Sequence, residues 1–307
     1  MAPVDLSTGL CGMRLEVPLL LASGVLGETG PSMLSALEGG AGGVVTKSIC
    51  LEPRAGHPNP TVVELEGSLV NAMGLPNPGA EAFAEELAWL RARTRRPVVV
   101  SVFGASAEEY AEVASRLEGF ADAFELNLSC PHAKGLGTEI GSDPEMLERV
   151  VREVVRAVDR PVLAKLTPLT HDFMGLARAA ERGGASGIVA INTMRAMVVD
   201  LEFRTSALAN GYGGLSGAAL RPVAVRCVNE AARAVALPIV GVGGVATGED
   251  ALEFLMAGAT AVEVGTAVWR SGPQVFRSIA DGMRAWLAAH DHASVAEVQG
   301  ALLEARR

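Results

Sequence analysis

Phe124-Glu-Leu-Asn-Leu-Ser-Cys-Pro-His132 passes from a short apolar strand into a loop, and Ala133-Lys-Gly-Leu-Gly-Thr-Glu-Ile-Gly141 beyond it has neither helical nor strand period. Asp143-Pro144 then supplies an N-cap acceptor and a proline at the first helical position, which together open a helix. Asn127 therefore falls where a strand ends, and Cys130 falls on a glycine-flanked lid just past that end. In parallel α/β proteins the carboxyl ends of strands carry the chemistry. A thiol in such a lid is a candidate base or nucleophile. The plainer alternative is a small apolar residue in a turn.

Working outward, the same unit recurs along the whole chain. Short, almost wholly apolar runs at 19–22, 43–47, 97–102, 123–127, 161–165, 187–192, 238–242 and 261–265 read as strands buried on both faces. Helical spacing predicts helices over 31–38, 80–93, 108–117, 144–158, 173–182, 219–235 and 249–256. Ser106-x-x-Glu109 has the capping-box spacing at one helix start. Eight β/α units in about 250 residues is the count of a TIM (β/α)8 barrel, with a doubly wound open sheet as the alternative. Two segments exceed the repeat. One holds the hairpin-like pair Val62-Val-Glu-Leu65 and Ser68-Leu-Val-Asn71; the other is the polar stretch 194–217. Insertions of this length at the C-terminal face of the strands usually cover an active site. No linker or low-complexity stretch divides the chain, so residues 1–307 read as a single domain.

Composition narrows the function. The 307 residues are 49% hydrophobic with Gly 35, enough for a large core and many tight turns, and the formal net charge is -9. That charge argues against a nucleic-acid surface, which needs a basic stripe. The N-terminus lacks the regions of a signal peptide, and no apolar run approaches about 18 residues, so neither export nor a membrane span is expected. Cys11, Cys50, Cys130 and Cys227 lack metal-ligand spacing and read as neither a metal nor an iron–sulfur site. A reducing cytoplasm is the simplest compartment.

The residues at the strand ends point to one pocket: Ser23-Gly24, Thr46-Lys47-Ser48, Ser101, Asn127, Lys165, Asn192-Thr193, Gly243-Gly244 and Gly265-Thr266. Two lysines and two amides stand in this ring, with no carboxylate evident, which disfavours an acid-based hydrolase or a divalent-metal site. Glycine clusters after the last two strands, joined by Gly213-Gly-Leu-Ser-Gly217, suit a phosphate; tight turns alone would also explain them. Gly241-x-Gly243-x-x-Ala246 with Glu263 further on matches a dinucleotide fingerprint only weakly. Cations, amides and phosphate loops together suit flavin mononucleotide, whose reduced ring is anionic. His132 is a possible proton carrier or a solvated loop residue. His57, His171, His290 and His292 are expected at the surface.

These motifs resemble the class 1 dihydroorotate dehydrogenases over nearly the whole length. The resemblance is carried by Thr46-Lys-Ser48, Glu52-Pro-Arg54, Asn71-Ala-Met-Gly-Leu-Pro-Asn77, Asn127-Leu-Ser-Cys-Pro131, Ala164-Lys165, Ile191-Asn-Thr193, Tyr212-Gly-Gly-Leu-Ser-Gly217, Gly241-Val-Gly-Gly244 and Gly265-Thr266. It implies FMN-dependent oxidation of (S)-dihydroorotate to orotate in pyrimidine biosynthesis. By that resemblance Ser23, Lys47, Ser48, Ser101, Asn127, Lys165, Ile191, Gly217, Gly243, Gly244, Gly265 and Thr266 contact FMN. Lys47, Asn71, Ala72, Met73, Gly74, Leu75, Asn127, Asn192 and Thr193 hold the substrate. Cys130 is the general base that takes the C5 proton while the C6 hydride passes to flavin N5.

The stretch Met197-Val-Val-Asp-Leu-Glu202 with Arg204 resembles the NAD-linked (1B) catalytic subunit. That form implies a homodimer, or a heterotetramer with a subunit carrying FAD and a [2Fe-2S] cluster. His132 departs from the asparagine common in the family, and Ser-Cys-Pro-His occurs also in the FMN domain of dihydropyrimidine dehydrogenases, acting on dihydrouracil and dihydrothymine. A barrel lyase or isomerase on a phosphorylated substrate remains the alternative from another class, and a non-catalytic FMN-binding subunit a third.

Overall fold

A computed structural model describes residues 4–128 and 140–304. All eight expected strands form: β1 Leu19–Leu21, β2 Gly43–Val45, β3 Val98–Val102, β4 Ala123–Asn127, β5 Val162–Leu166, β6 Gly187–Ala190, β7 Ile239–Val242 and β8 Ala261–Val264. Every neighbouring pair is parallel, and β8 pairs with β1, so the sheet closes in chain order. Closure excludes the open doubly wound sheet and gives the (β/α)8 barrel.

The helices lie where the spacing put them: α1 Gly30–Glu38, α2 Ala80–Arg91, α3 Ala107–Leu117, α4 Pro144–Ala157, α5 Phe173–Arg182, α6 Arg221–Ala234 and α7 Gly248–Ala257. Asp143 caps α4, its carboxylate accepting from the amides of Glu145 and Met146. Ser106 accepts from the Glu109 amide as expected, but the Glu109 carboxylate reaches back to the Ala105 amide, so the box closes one residue early. Three further helices, α8 Thr266–Ser271, α9 Val275–Ala289 and the short α10 Ala301–Glu304, lie beyond the last one the spacing predicted; α9 buries Phe276, Ile279, Met283 and Leu287 at helical intervals.

Strand pleating sorts the interior into layers, because residues two apart face the same side. Leu20, Val45, Val99, Ala123, Leu163, Val189, Val240 and Ala261, one from each strand, form an apolar floor. The antiparallel hairpin Thr8–Leu10 with Met13–Leu15 plugs it from below through Leu10, Met13 and Leu15. Two residues further along each strand, the inward positions are Ala22, Lys47, Ser101, Glu125, Lys165, Ile191, Val242 and Glu263.

Above the strand ends the two insertions meet. Val62–Leu65 pairs with Ser68–Asn71 as the expected hairpin, turning on Glu66-Gly67 with Gly67 at φ +67°. The 194–217 stretch is more ordered than a polar insertion suggests. Its strands Met194–Ala196 and Gly213–Gly217 join that hairpin in one four-stranded antiparallel sheet beside the barrel mouth. No helix among the described residues is long and apolar enough to cross a membrane.

Candidate active site

A cavity of about 420 Å³ opens at the carboxyl ends of the barrel strands, beneath the sheet that the insertions build. Its wall includes Ser23, Lys47, Ser48, Asn71, Ala72, Met73, Gly74, Leu75, Asn127, Lys165, Ile191, Asn192, Thr193, Gly217, Gly243, Gly244, Gly265 and Thr266. Of the candidate residues, Ser101 alone among the described ones sits beneath the wall, wholly buried. Cys130, with His132 and Lys134, lies outside the described residues.

Hydrogen bonds fix these side chains in order. Ser101 on β3 donates to Glu125 Oε1 at 3.1 Å. Its proton committed there, Ser101 accepts from Ser48 at 2.9 Å, and Ser48 in turn accepts from Asn127 Nδ2 at 3.1 Å and from Ser23 at 3.3 Å. Asn192 Nδ2 donates to Asn127 Oδ1 at 2.9 Å, and Asn192 Oδ1 accepts from the Thr193 amide at 2.8 Å. Both amide orientations are thereby set. Among the described residues neither Nδ2 makes a second hydrogen bond, so each has one N–H left for a ligand. Tyr110 on α3 steadies the end of β4 by donating to the Asn127 carbonyl at 2.7 Å.

The loop 72–77 is pinned from behind. Asn77 donates to the Leu75 carbonyl, and its Oδ1 accepts from the amides of Gly79 and Cys50. Arg54 Nε donates to the Gly74 carbonyl at 2.7 Å, and the His57 amide to the Met73 carbonyl at 3.0 Å. Gly74 stands at φ +75°, and a Cβ there would come within 2.7 Å of the His57 nitrogen. Only glycine permits that approach. His57, expected at the surface, is instead half-buried against the cavity with Nδ1 3.1 Å from the Ala72 carbonyl oxygen.

At the other end, three glycine segments converge. A Cβ on Gly244, at φ +87°, would lie 2.6 Å from the Gly217 carbonyl oxygen, and one on Gly243 2.8 Å from Ala224 Cβ. Among the described residues the amides of Gly243, Gly244, Gly265 and Thr266 have no protein acceptor. Orphan amides in a glycine cradle make an anion site of the kind a phosphate fills.

One expectation fails. The ring holds carboxylates: Glu125 on β4 and Glu263 on β8 are buried in the layer of Lys165 and reach the cavity wall. Lys165 Nζ lies 2.8 Å from Glu263 Oε2 and 3.2 Å from Glu125 Oε2. Burial pulls the Lys165 ammonium down, but the two carboxylates outweigh it and hold it well above its usual value. Lys47 differs. It is buried, but its ammonium meets the exposed carboxylate of Glu28 at 3.1 Å, a partner that can be exchanged for an anionic ligand. The strands named these two carboxylates as single polar positions in the apolar runs Phe-Glu-Leu and Val-Glu-Val, and parity alone would have aimed them inward. Arg54, His57, Arg195, Tyr212 and Trp269 also line the cavity; except for Arg54 and Tyr212, which stand in two of the motifs, no sequence spacing marks them.

A closed parallel barrel that gathers lysines, oriented amides and a glycine cradle round one cleft has the architecture of a cofactor-dependent enzyme of small anionic substrates. The family described as dihydroorotate dehydrogenase matches residues 5–287, and the chain belongs to that family. It is 51% identical to the catalytic subunit of dihydroorotate dehydrogenase B (NAD(+)) from Pyrococcus furiosus over 291 residues, covering 95% of this chain and 96% of that one. The subunit of the same name from Thermococcus kodakarensis is 48% identical over 304 residues, covering 99% and 100%. That from Methanothermobacter thermautotrophicus is 47% identical over 297 residues, covering 96% and 97%.

Proposed function

We propose that this chain oxidises (S)-dihydroorotate to orotate for pyrimidine biosynthesis, with FMN bound in the cleft and Cys130 as the general base. What carries the reading is the joining of family membership to the cleft, where the motif residues from both insertions and from seven strand ends meet. The residues fit FMN: the orphan amides of Gly243, Gly244, Gly265 and Thr266, with Gly217, would hold its phosphate, and Ser23, Ser48 and Ile191 would flank the ring. Ser101 would act from below by orienting Ser48. When bound, FMN supplies a two-electron acceptor for hydride.

The protein's own groups do the rest. Lys165 is a fixed cation for the ring system, and Lys47 exchanges Glu28 for the substrate carboxylate. Asn71, Asn127, Asn192 and Thr193, with the pinned backbone 72–75, orient the pyrimidine by its polar edges, which holds the reacting carbon near its acceptor. Cys130 takes the C5 proton. A thiol is mostly protonated at neutral pH, its reference pKa being about 8.5, so turnover should rise with pH. The B-type relatives are named as catalytic subunits; an electron-transfer partner with FAD and an iron–sulfur cluster follows for this chain, which would work as a homodimer or within a heterotetramer in the cytoplasm. Leu201 and Phe203, more than four-fifths exposed on the 194–217 stretch, support a subunit contact.

The test is spectroscopic. Purified protein should be yellow and bleach when dihydroorotate is added without oxygen. Cys130→Ala should keep the flavin spectrum and lose most turnover at neutral pH, by about 10²-fold or more for a lost general base. Normal turnover in that variant would remove Cys130 from the mechanism. Bleaching by dihydrouracil alone would replace the substrate. A colourless protein that takes up no FMN would end the oxidoreductase reading.

A further inference from the structure

Of the described charged groups in the buried layer, Lys47 is paired with Glu28 outside it, whereas Glu125, Lys165 and Glu263 are ion-paired only with one another, so with both carboxylates ionised that cluster would carry one net negative charge. Beneath it lies only the apolar floor. A net charge so placed is costly unless a proton or counter-charge settles it. The strands flanking Glu263 bring no titratable group to its level: β7 offers Val242 and β1 offers Ala22. Beyond β1, Lys47 at the end of β2 is paired with Glu28; Arg54 and His57 belong to the loop above, and Arg195 to the sheet above.

The two carboxylates are not equivalent. Glu125 accepts from Ser101 and from Lys165 at both of its oxygens, a donor set that suits an anion. Among the described residues Glu263 accepts only from Lys165, and it lies within hydrogen-bonding reach of Glu125. A proton on Glu263 can therefore be donated to Glu125, and no other acceptor is needed.

We propose that the Glu125–Lys165–Glu263 cluster holds one proton, carried by Glu263, and that this proton makes Glu263 a positioning residue: it leaves Lys165 free to offer its charge to an anion in the cleft. The inference rests on the reading that the cleft takes FMN and orotate. Burial first, and repulsion by Glu125 second, push the Glu263 carboxyl up to about 8. As pH rises through that value the layer turns negative, and an anion above it is held less tightly.

Orotate binding to the FMN-loaded protein, followed by the change in flavin absorbance at pH 7 and pH 9, tests this without turnover. Both proteins compared carry Cys130→Ser, so the thiol does not titrate, and the ligand's own ionisation is common to both. With Glu263 present, affinity should fall about tenfold, the effect of one charge acting over about 10 Å at an effective dielectric near 20. With Glu263→Gln the fall should be roughly twofold at most. An equal fall in both proteins overturns the proposal. Protein that binds FMN but never orotate, or neither, overturns the functional reading and the proposal with it. Should Glu263→Gln not fold, infrared difference spectra of the holoenzyme decide: a buried protonated carboxyl band at pH 7 that vanishes by pH 9 supports the proposal, and its absence overturns it.

Discussion

Leu163 and Lys165 stand two residues apart on one strand and point the same way into the barrel, yet the layers they belong to are built on opposite terms. In the floor, eight apolar side chains meet with no polar atom to satisfy, and each buried leucine or valine among them contributes about 1.5–3 kcal/mol by leaving water. One layer up, Ser101, Glu125, Lys165 and Glu263 are as deeply buried, and every one depends on a partner from another strand. Deletion in the floor leaves a void. In the ionic layer it leaves an uncompensated charge. The comparison shows why the cleft can be polar at its base: the fold is held below it.

The largest effect should come from breaking the ionic layer by one member. Lys165→Met leaves Glu125 and Glu263 facing each other, and should cost about 3–5 kcal/mol in denaturant unfolding, as other broken buried pairs do. Adding Glu125→Gln and Glu263→Gln to the same protein should return much of that loss, since the unpaired charge is then gone. If the triple variant is no more stable than Lys165→Met, the cost lies in lost packing, and the contrast between the layers is false. Leu163→Ala in the floor should cost about 2–5 kcal/mol through transfer and cavity terms. It should leave flavin content and turnover per folded molecule unchanged, which activity at a temperature well below the midpoint would check.

The sequence exposed one layer better than the other, for a physical reason. Parallel strands buried on both faces are nearly continuous apolar runs, so β1 to β8 and their polar ends could be read directly, and the cleft residues at those ends with them. Glu125, Lys165 and Glu263 come from three strands separated by 40 and 98 residues. Their meeting depends on barrel closure and on strand parity, neither of which a local pattern carries. The sheet over the mouth was hidden similarly: Gly213–Gly217 has almost no side chains to show a period, and its partner Ser68–Asn71 lies far back in the chain. His57 looked like a surface residue because only the Gly74 backbone, packed against it, brings it inward.

The effect that tests the ionic layer most directly is the pH dependence of stability. Glu263 titrates near 4.5 when unfolded and is pushed up to about 8 by burial when folded. Between those values the folded chain binds more protons at this group than the unfolded one, so its contribution is fully present below about 4.5 and is lost as pH rises through about 8. Lys165 is also raised, but its contribution fades only above the ordinary lysine range. Glu148, held low by the hydrogen bond from Arg182, acts on the acid side. Glu148 is common to wild type and Glu263→Gln, and the Lys165 contribution changes only above the pH range compared. The stability difference between the two proteins, measured by urea unfolding at intervals from about pH 5 to about pH 9, should therefore move steadily against wild type up to about 8 and then level off. Parallel curves would mean that Glu263 is ionised throughout and that the cluster bears its net charge at neutral pH.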